Sequence, residues 1–306
     1  MKPIIILLTI IIAHPLFSQE SDLEKKLMNA QRMENLSQAL SSLKELKTQY
    51  PHESVIDWTM AFLNFSRGNL GAAAQGFIDT IKNIPQERDR YLYLNRIRHL
   101  TFSFEDQKER TRFHKATELY REGRYQEAIQ IFLEVESRNR FNAQLYLSLA
   151  QAYGKIGDNA YAIRYLERAR TVNPVDAKIL GELKHYYKLT RDHKKLLEIL
   201  DFIEEIYGKN PFLSFERGFT FQKMEQNARA REIYARMVTS NPDFSPAYFR
   251  LAQLLLDEEG QKSKAREYLK IFLSLGSKKT PLARQIQLYF PVKEMENQAQ
   301  TWLLEN

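Results

Sequence analysis

The 306-residue sequence predicts an all-α protein built from helical hairpins stacked one on the next. Three observations predict it. An alanine followed four residues later by a large apolar side chain returns at a fixed interval along the chain. Glycines and prolines keep constant distances from that alanine. The composition supports the same architecture: 11 glycines, 10 prolines and no cysteine, with 43% hydrophobic and 27% charged residues. These are too few turn formers for a loop-rich sandwich, a collagen-like chain or a long disordered one. The absence of cysteine excludes a disulfide scaffold, thiolate metal sites and a cysteine nucleophile.

From the N-terminus, the first segment reads MKPIIILLTIIIAHPLFSQE. One cation, Lys2, precedes an apolar run from Ile4 to Ala13, and Pro15 then breaks it before a short polar stretch. Ten apolar residues would span only ~15 Å as a helix, about half the hydrocarbon core. Residues 1–18 are therefore expected to be a secretory signal peptide, cleaved after Ser18 to leave Gln19, although Leu16 at the −3 position is less suited than alanine. Without cysteine, lipoprotein processing is excluded. The expectation is an exported chain, periplasmic or associated with the envelope. Two alternatives are a retained membrane anchor and a buried first helix of a cytoplasmic protein. The whole sequence carries 45 basic and 38 acidic residues, and losing Lys2 with the signal leaves 44 − 38 = +6. That charge suits a solvated surface, and also anionic lipids or acidic proteins as partners.

The repeat begins soon after. The alanine and its apolar companion occur as Ala39 with Leu43, Ala73 with Phe77, Ala128 with Phe132, Ala162 with Leu166, Ala230 with Tyr234 and Ala265 with Leu269. Successive alanines are 34, 55, 34, 68 and 35 residues apart. Sixty-eight is twice 34, with Leu196 and Leu200 as the degenerate copy between, and 55 is 34 plus an insertion of 21. About twelve residues before the alanine stand Ala61, Ala116, Ala150, Gly218 and Ala252, small enough to let two antiparallel helices approach. Five before it stand Gly68, Gly123, Gly157 and Gly260, where a turn requires left-handed backbone. Twelve after it stand Pro51, Pro85, Pro174 and Pro242, which stop the second helix. Asn210–Pro211, Ser245–Pro246 and Thr280–Pro281 are expected as N-caps followed by proline in the first turn.

Gly123–Phe132 (GRYQEAIQIF) and Leu149–Pro174 resemble tetratricopeptide repeats, and the resemblance extends over roughly Ser21 to Gly276. It implies a right-handed superhelical solenoid of helix–turn–helix units whose first helices form a concave face. On this reading the chain divides into N-terminal repeats (19–85), an inserted helix or hinge (86–108), five repeats (109–279) and C-terminal capping helices (280–306). Lys184 and Leu196 replace the usual small residues in the repeat from Asp176 to Asn210, so its two helices are expected to splay. In the insertion, Tyr91, Leu94, Ile97 and Arg98 follow helical spacing, with tyrosines expected inward and arginines outward. Alternating arginine with tyrosine over 88–98 superficially suits nucleic acid, but an exported chain makes that partner improbable.

Catalytic chemistry is not legible. His14, His52, His99, His114, His185 and His193 include no i, i+4 pair, and no HExxH, GxSxG, Walker or GxGxxG motif exists. The run Asp257–Glu258–Glu259 before Gly260 lacks the ligand spacing of an EF-hand. No enzyme activity, cofactor or metal is expected.

What remains is the face that the resemblance implies. First-helix positions two, five, nine and twelve correspond to Arg110, Phe113, Thr117 and Tyr120, then Gln144, Leu147, Gln151 and Gly154, then Lys178, Gly181, His185 and Lys188. Phe212, Phe215, Phe219 and Gln222 follow, then Phe249 and Gln253. Candidate partner-binding residues are Phe113, Tyr120, Gln151, Lys178, His185, Lys188, Phe215, Phe219, Lys223 and Phe249, with the phenylalanines either an apolar patch edged by lysines or core between repeats. The carboxylate clamp of chaperone-binding members would fall on Phe113, Thr117, Ser148, Lys178 and Glu182, and only Lys178 fits. The expected function is non-catalytic capture of a peptide or partner protein in the groove. The alternatives are a tethered envelope assembly factor and, without export, a cytoplasmic repeat regulator.

Overall fold

The computed structural model describes residues 22–305 apart from 105, 257, 259, 277 and 279. The signal segment expected at 1–18 lies outside the described residues, as do Asp257 and Glu259 of the acidic run. The described residues form seventeen helices and no strand, an all-α helical-repeat fold. The chain divides into two compact units, one ending at Tyr186 and one beginning at Tyr187.

The first unit contains α1 (Asp22–Arg32), α2 (Leu36–Gln49), α3 (Ser54–Ser66), α4 (Leu70–Lys82), α5 (Glu87–Phe102), α6 (Gln107–Arg121), α7 (Tyr125–Glu136), α8 (Ala143–Lys155) and α9 (Asn159–Val172). Most of α10 (Ala177–Leu189) also belongs to it. Neighbouring helices pair as hairpins because the repeat places its smallest residues where they cross. A Cβ on Gly76 would meet the Ala61 Cβ at 2.7 Å and its Cα at 3.1 Å, so α4 lies directly on α3. The companions Phe77 and Phe132 are fully buried, each worth roughly 1.5–3 kcal/mol of transfer free energy. Trp58 on α3 is buried too, with its ring 5.9 Å from both Phe77 and Tyr93.

Segment 86–108, expected as an inserted helix or hinge, lies wholly inside this first unit and supplies α5. Its inward face differs from the expected one. Tyr93, Ile97 and Thr101 point inward at i, i+4 and i+8, whereas Tyr91 is 68% exposed. The register is two positions from the expected one at its start, so only Ile97 is common to both faces. Arg90 donates to the Ile84 carbonyl at 3.0 Å, fastening the start of α5 to the preceding turn.

The second unit contains α11 (His193–Tyr207), α12 (Pro211–Lys223), α13 (Asn227–Ser240), α14 (Ser245–Leu256), α15 (Lys262–Gly276), α16 (Pro281–Tyr289) and α17 (Val292–Glu305). Its core runs from Phe215 and Tyr234 through Phe244, Phe249 and Phe272 to Ile286, Met295 and Ala299. The last helices therefore cap the apolar end, with Trp302 stacked on Phe249 at 5.5 Å. Asn210 caps α12 by accepting from the Phe212 N–H at 2.8 Å, and Thr280 caps α16 by accepting from Ala283 at 3.1 Å. Ser245 is instead the first residue of its helix.

The turn inside each hairpin needs one left-handed residue. Gly68, Gly123, Gly157 and Gly260 supply it at φ of +77°, +81°, +82° and +79°. At the same register, five residues before Leu196 and Ala230, stand Arg191 at φ +57° and Glu225 at φ +59°. A side chain in this region costs on the order of 1–3 kcal/mol.

Candidate functional site

Within the second unit, the end of α10, the following turn, the start of α11 and one face of α12 enclose a pocket of about 400 Å³. Leu196 and Phe219 form its apolar part, and Lys188, Arg191, His193 and Lys223 supply nitrogen around it. Glu216 is the single carboxylate in the lining, and it lies 3.6 Å from the Lys188 ammonium. The Thr220 hydroxyl donates to its own helix, to the Glu216 carbonyl at 2.7 Å. One buried ring nitrogen of His193, Nδ1, has no hydrogen-bond partner.

Helical spacing places these groups. Glu216, Phe219, Thr220 and Lys223 fall at i, i+3, i+4 and i+7 on α12 and so share one face. Lys223 sits 5.2 Å from the Phe219 ring centroid, and the Arg250 guanidinium of α14 lies 4.8 Å from the same centroid. Such contacts stabilise by ≈ 0.5–2 kcal/mol, more as water is excluded. Arg250 donates to Gln253 at 2.8 Å, and its buried Nε has no partner. Burial holds this guanidinium below the usual arginine value, against an opposing effect of Tyr234. The ring is therefore a half-buried platform with cations beside it, and the pocket carries a net positive potential.

Of the ten candidate residues, Lys188, Phe219 and Lys223 come together here. Phe215 and Phe249 do not. Phe215 is buried against Tyr234, Phe244 and Phe290, with ring centroids 5.5, 5.6 and 4.7 Å away, and Phe249 packs on Phe272 and Trp302. Both are core, because the repeat turns that side of the helix onto the next hairpin. Phe113 is core in the first unit, packed on Phe104 at 4.9 Å and Phe132 at 5.4 Å. Tyr120 and Gln151 gather around Glu182, which accepts from Gln151 at 2.9 Å. Burial above all pushes the phenols of Tyr120 and Tyr186 above their ordinary value, with the Glu182 charge among the smaller effects that act the same way. Lys178 and His185 are exposed on α10 and do not line this pocket.

Arg191, His193, Leu196, Glu216, Thr220 and Arg250 were not expected at the site. A legible signal existed for one of them: Arg191 occupies the register of the turn glycine. Among the described residues, no group of three or more acids and histidines could hold a metal ion, and no helix is long and apolar enough to cross a membrane.

Comparison with known families gives the class. Residues 113–174 and residues 246–275 each match a tetratricopeptide-repeat family model. The chain is a tetratricopeptide-repeat-containing helical protein, and stacked repeats of this kind build extended protein-binding surfaces. Over 196 residues it is 29% identical to protein O-mannosyl-transferase TMTC1 of Homo sapiens, a match that covers 60% of this chain. The chain spans about a fifth (21%) of that relative. Among solved structures, a MamA protein is 19% identical with a TM-score of 0.47, over 56% of this chain and 93% of that one. MamA from Desulfovibrio magneticus RS-1 is 14% identical with a TM-score of 0.47, over 58% and 100% of the two chains.

Proposed function

We propose that the chain is an exported, non-catalytic interaction scaffold that takes a segment of a partner protein in the Lys188–Phe219–Lys223 pocket. The observation that carries this reading is a half-buried ring on a repeat helix, rimmed by cations and backed by an apolar residue. A rigid platform of this kind loses little conformational entropy on binding. The non-catalytic part rests on the lining itself, where the Thr220 hydroxyl is bonded to its own helix and Glu216 faces an ammonium. Export rests on Lys2 and the apolar run from Ile4 to Ala13.

Two measurements test the reading. A photo-reactive benzoylphenylalanine at position 219, introduced into the full chain in its native host, should crosslink to one discrete protein, and the same group at exposed Arg236 should not. Equal labelling at both positions would defeat the pocket. The intact mass should show a soluble species starting near Gln19. A full-length membrane species would favour a tethered assembly factor, and a full-length soluble cytoplasmic species would favour a cytoplasmic regulator.

A further inference from the structure

The pocket has one feature that binding of an apolar segment does not require. Four turns in the chain place glycine at the left-handed position, and the turn bordering this pocket places Arg191 there, at φ +57°. Glycine adopts that backbone without a Cβ clash, and arginine does not. Glu225 holds the equivalent position at φ +59° without lining this pocket, whereas Arg191 lines it, and strain held at a ligand site is commonly part of how that site works. Arg191 faces a pocket already rimmed by Lys188 and Lys223, with Arg250 beside the Phe219 ring and with one carboxylate, Glu216, 3.6 Å from the Lys188 ammonium. The charge there exceeds what Glu216 balances, and the buried Nδ1 of His193 is left without a partner.

We propose that the pocket selects an acidic peptide segment, with an apolar side chain set against Phe219 and Leu196 and its neighbouring carboxylates met by Lys188, Arg191 and Lys223. Arg191 is the specificity-determining residue, because it is the one cation held there at a conformational cost. This rests on the pocket being the binding surface. Guanidinium to carboxylate is the strong, directional form of such a contact, and it accounts for an arginine where glycine would serve the turn better.

The test uses the full chain and two fluorescein-labelled peptides, one with a leucine flanked by glutamates and a twin with glutamines. The acidic peptide is expected to bind roughly tenfold more tightly, with the preference shrinking as salt rises. Arg191→Gly should remove most of the preference while melting no lower than the parent, and Arg191→Lys, which keeps the charge but not the planar fork, should retain only part of it. Carbodiimide coupling should join the acidic peptide to Lys188 or Lys223, located by mass spectrometry. Equal binding of both peptides, lost in Phe219→Ser, would overturn the acid selection and leave the pocket standing. Full preference in Arg191→Gly would overturn the assignment of that residue. Binding of phosphatidylglycerol-containing vesicles with neither peptide bound would overturn the peptide class. If neither peptide binds and position 219 crosslinks nothing, the pocket itself falls.

Discussion

The side-chain amide of Asn173 donates to the Thr101 hydroxyl at 2.9 Å, joining two buried residues that stand 72 positions apart. Thr101 in turn donates to the Ile97 carbonyl at 2.7 Å, and Asn142 donates to the Ser103 carbonyl at 3.0 Å. Arg98 lies 3.6 Å from Asp176. Together these contacts fasten α5 to the far end of the first unit. Asn173→Ala is expected to lower stability by about 1–3 kcal/mol, the penalty for breaking a buried polar pair. In urea denaturation, Asn173→Ala combined with Thr101→Val should cost less than the sum of the two single changes, since both remove one interaction.

Phe215 and Phe219 are one helical turn apart and should respond unequally. Phe215→Ser empties a site 4% exposed, at a cost of about 3–5 kcal/mol. Phe219→Ser removes a half-buried ring from the pocket wall and should cost less than about 2 kcal/mol. Thermal melts of the two variants measure the difference. A Phe219→Ser chain as unstable as Phe215→Ser would return that ring to the core.

Arg191→Gly and Glu225→Gly should each raise stability. Both replace a left-handed side chain with the residue used in the neighbouring turns. Part of the gain is offset by the greater freedom of glycine in the unfolded chain, so the net expected is about 0.5–1 kcal/mol. Denaturant midpoints should rise with the slope unchanged. The two changes lie in different turns and should add.

Alkaline titration should expose two tyrosines. Tyr234 is buried with no partner for its hydroxyl, and burial pushes its phenol above the ordinary value of 10.0. Tyr165 is raised by burial, then by the charge and hydrogen bond of Glu136. Unfolded tyrosines ionise near pH ~10. The stabilisation is thus complete below pH ~10 and is lost as the pH climbs toward the higher folded values. Phenolate absorbance of these two should rise together with loss of helical circular dichroism. Tyr234→Phe should postpone that transition to higher pH and hold or improve stability at neutral pH.

The repeat was legible because it concerns residues whose chemistry leaves one role. Ala39, Ala73, Ala128, Ala162, Ala230 and Ala265 are all buried at the helix crossings, and the four turn glycines all have positive φ. The site was less legible. Phe215, Phe219 and Phe249 are the same residue type, and one position along a helix turns a side chain by ~100°. Whether a ring meets solvent depends on the next hairpin, which spacing alone does not describe. α5 failed for the same reason, with Tyr91 outward and Tyr93 inward. Arg191 stands at the glycine's register in the degenerate repeat around Leu196, but spacing alone does not say which pocket its side chain lines.

The sequence holds two tryptophans, and the fold assigns one to each unit. Trp58 is sealed among Phe77 and Tyr93, and Trp302 lies flat on Phe249 at the capped end. The protein thereby carries its own pair of fluorophores. Trp302→Phe leaves emission that follows the first unit alone, and Trp58→Phe leaves emission that follows the second. Two denaturation curves would then read out the halves of one chain separately, without any attached dye.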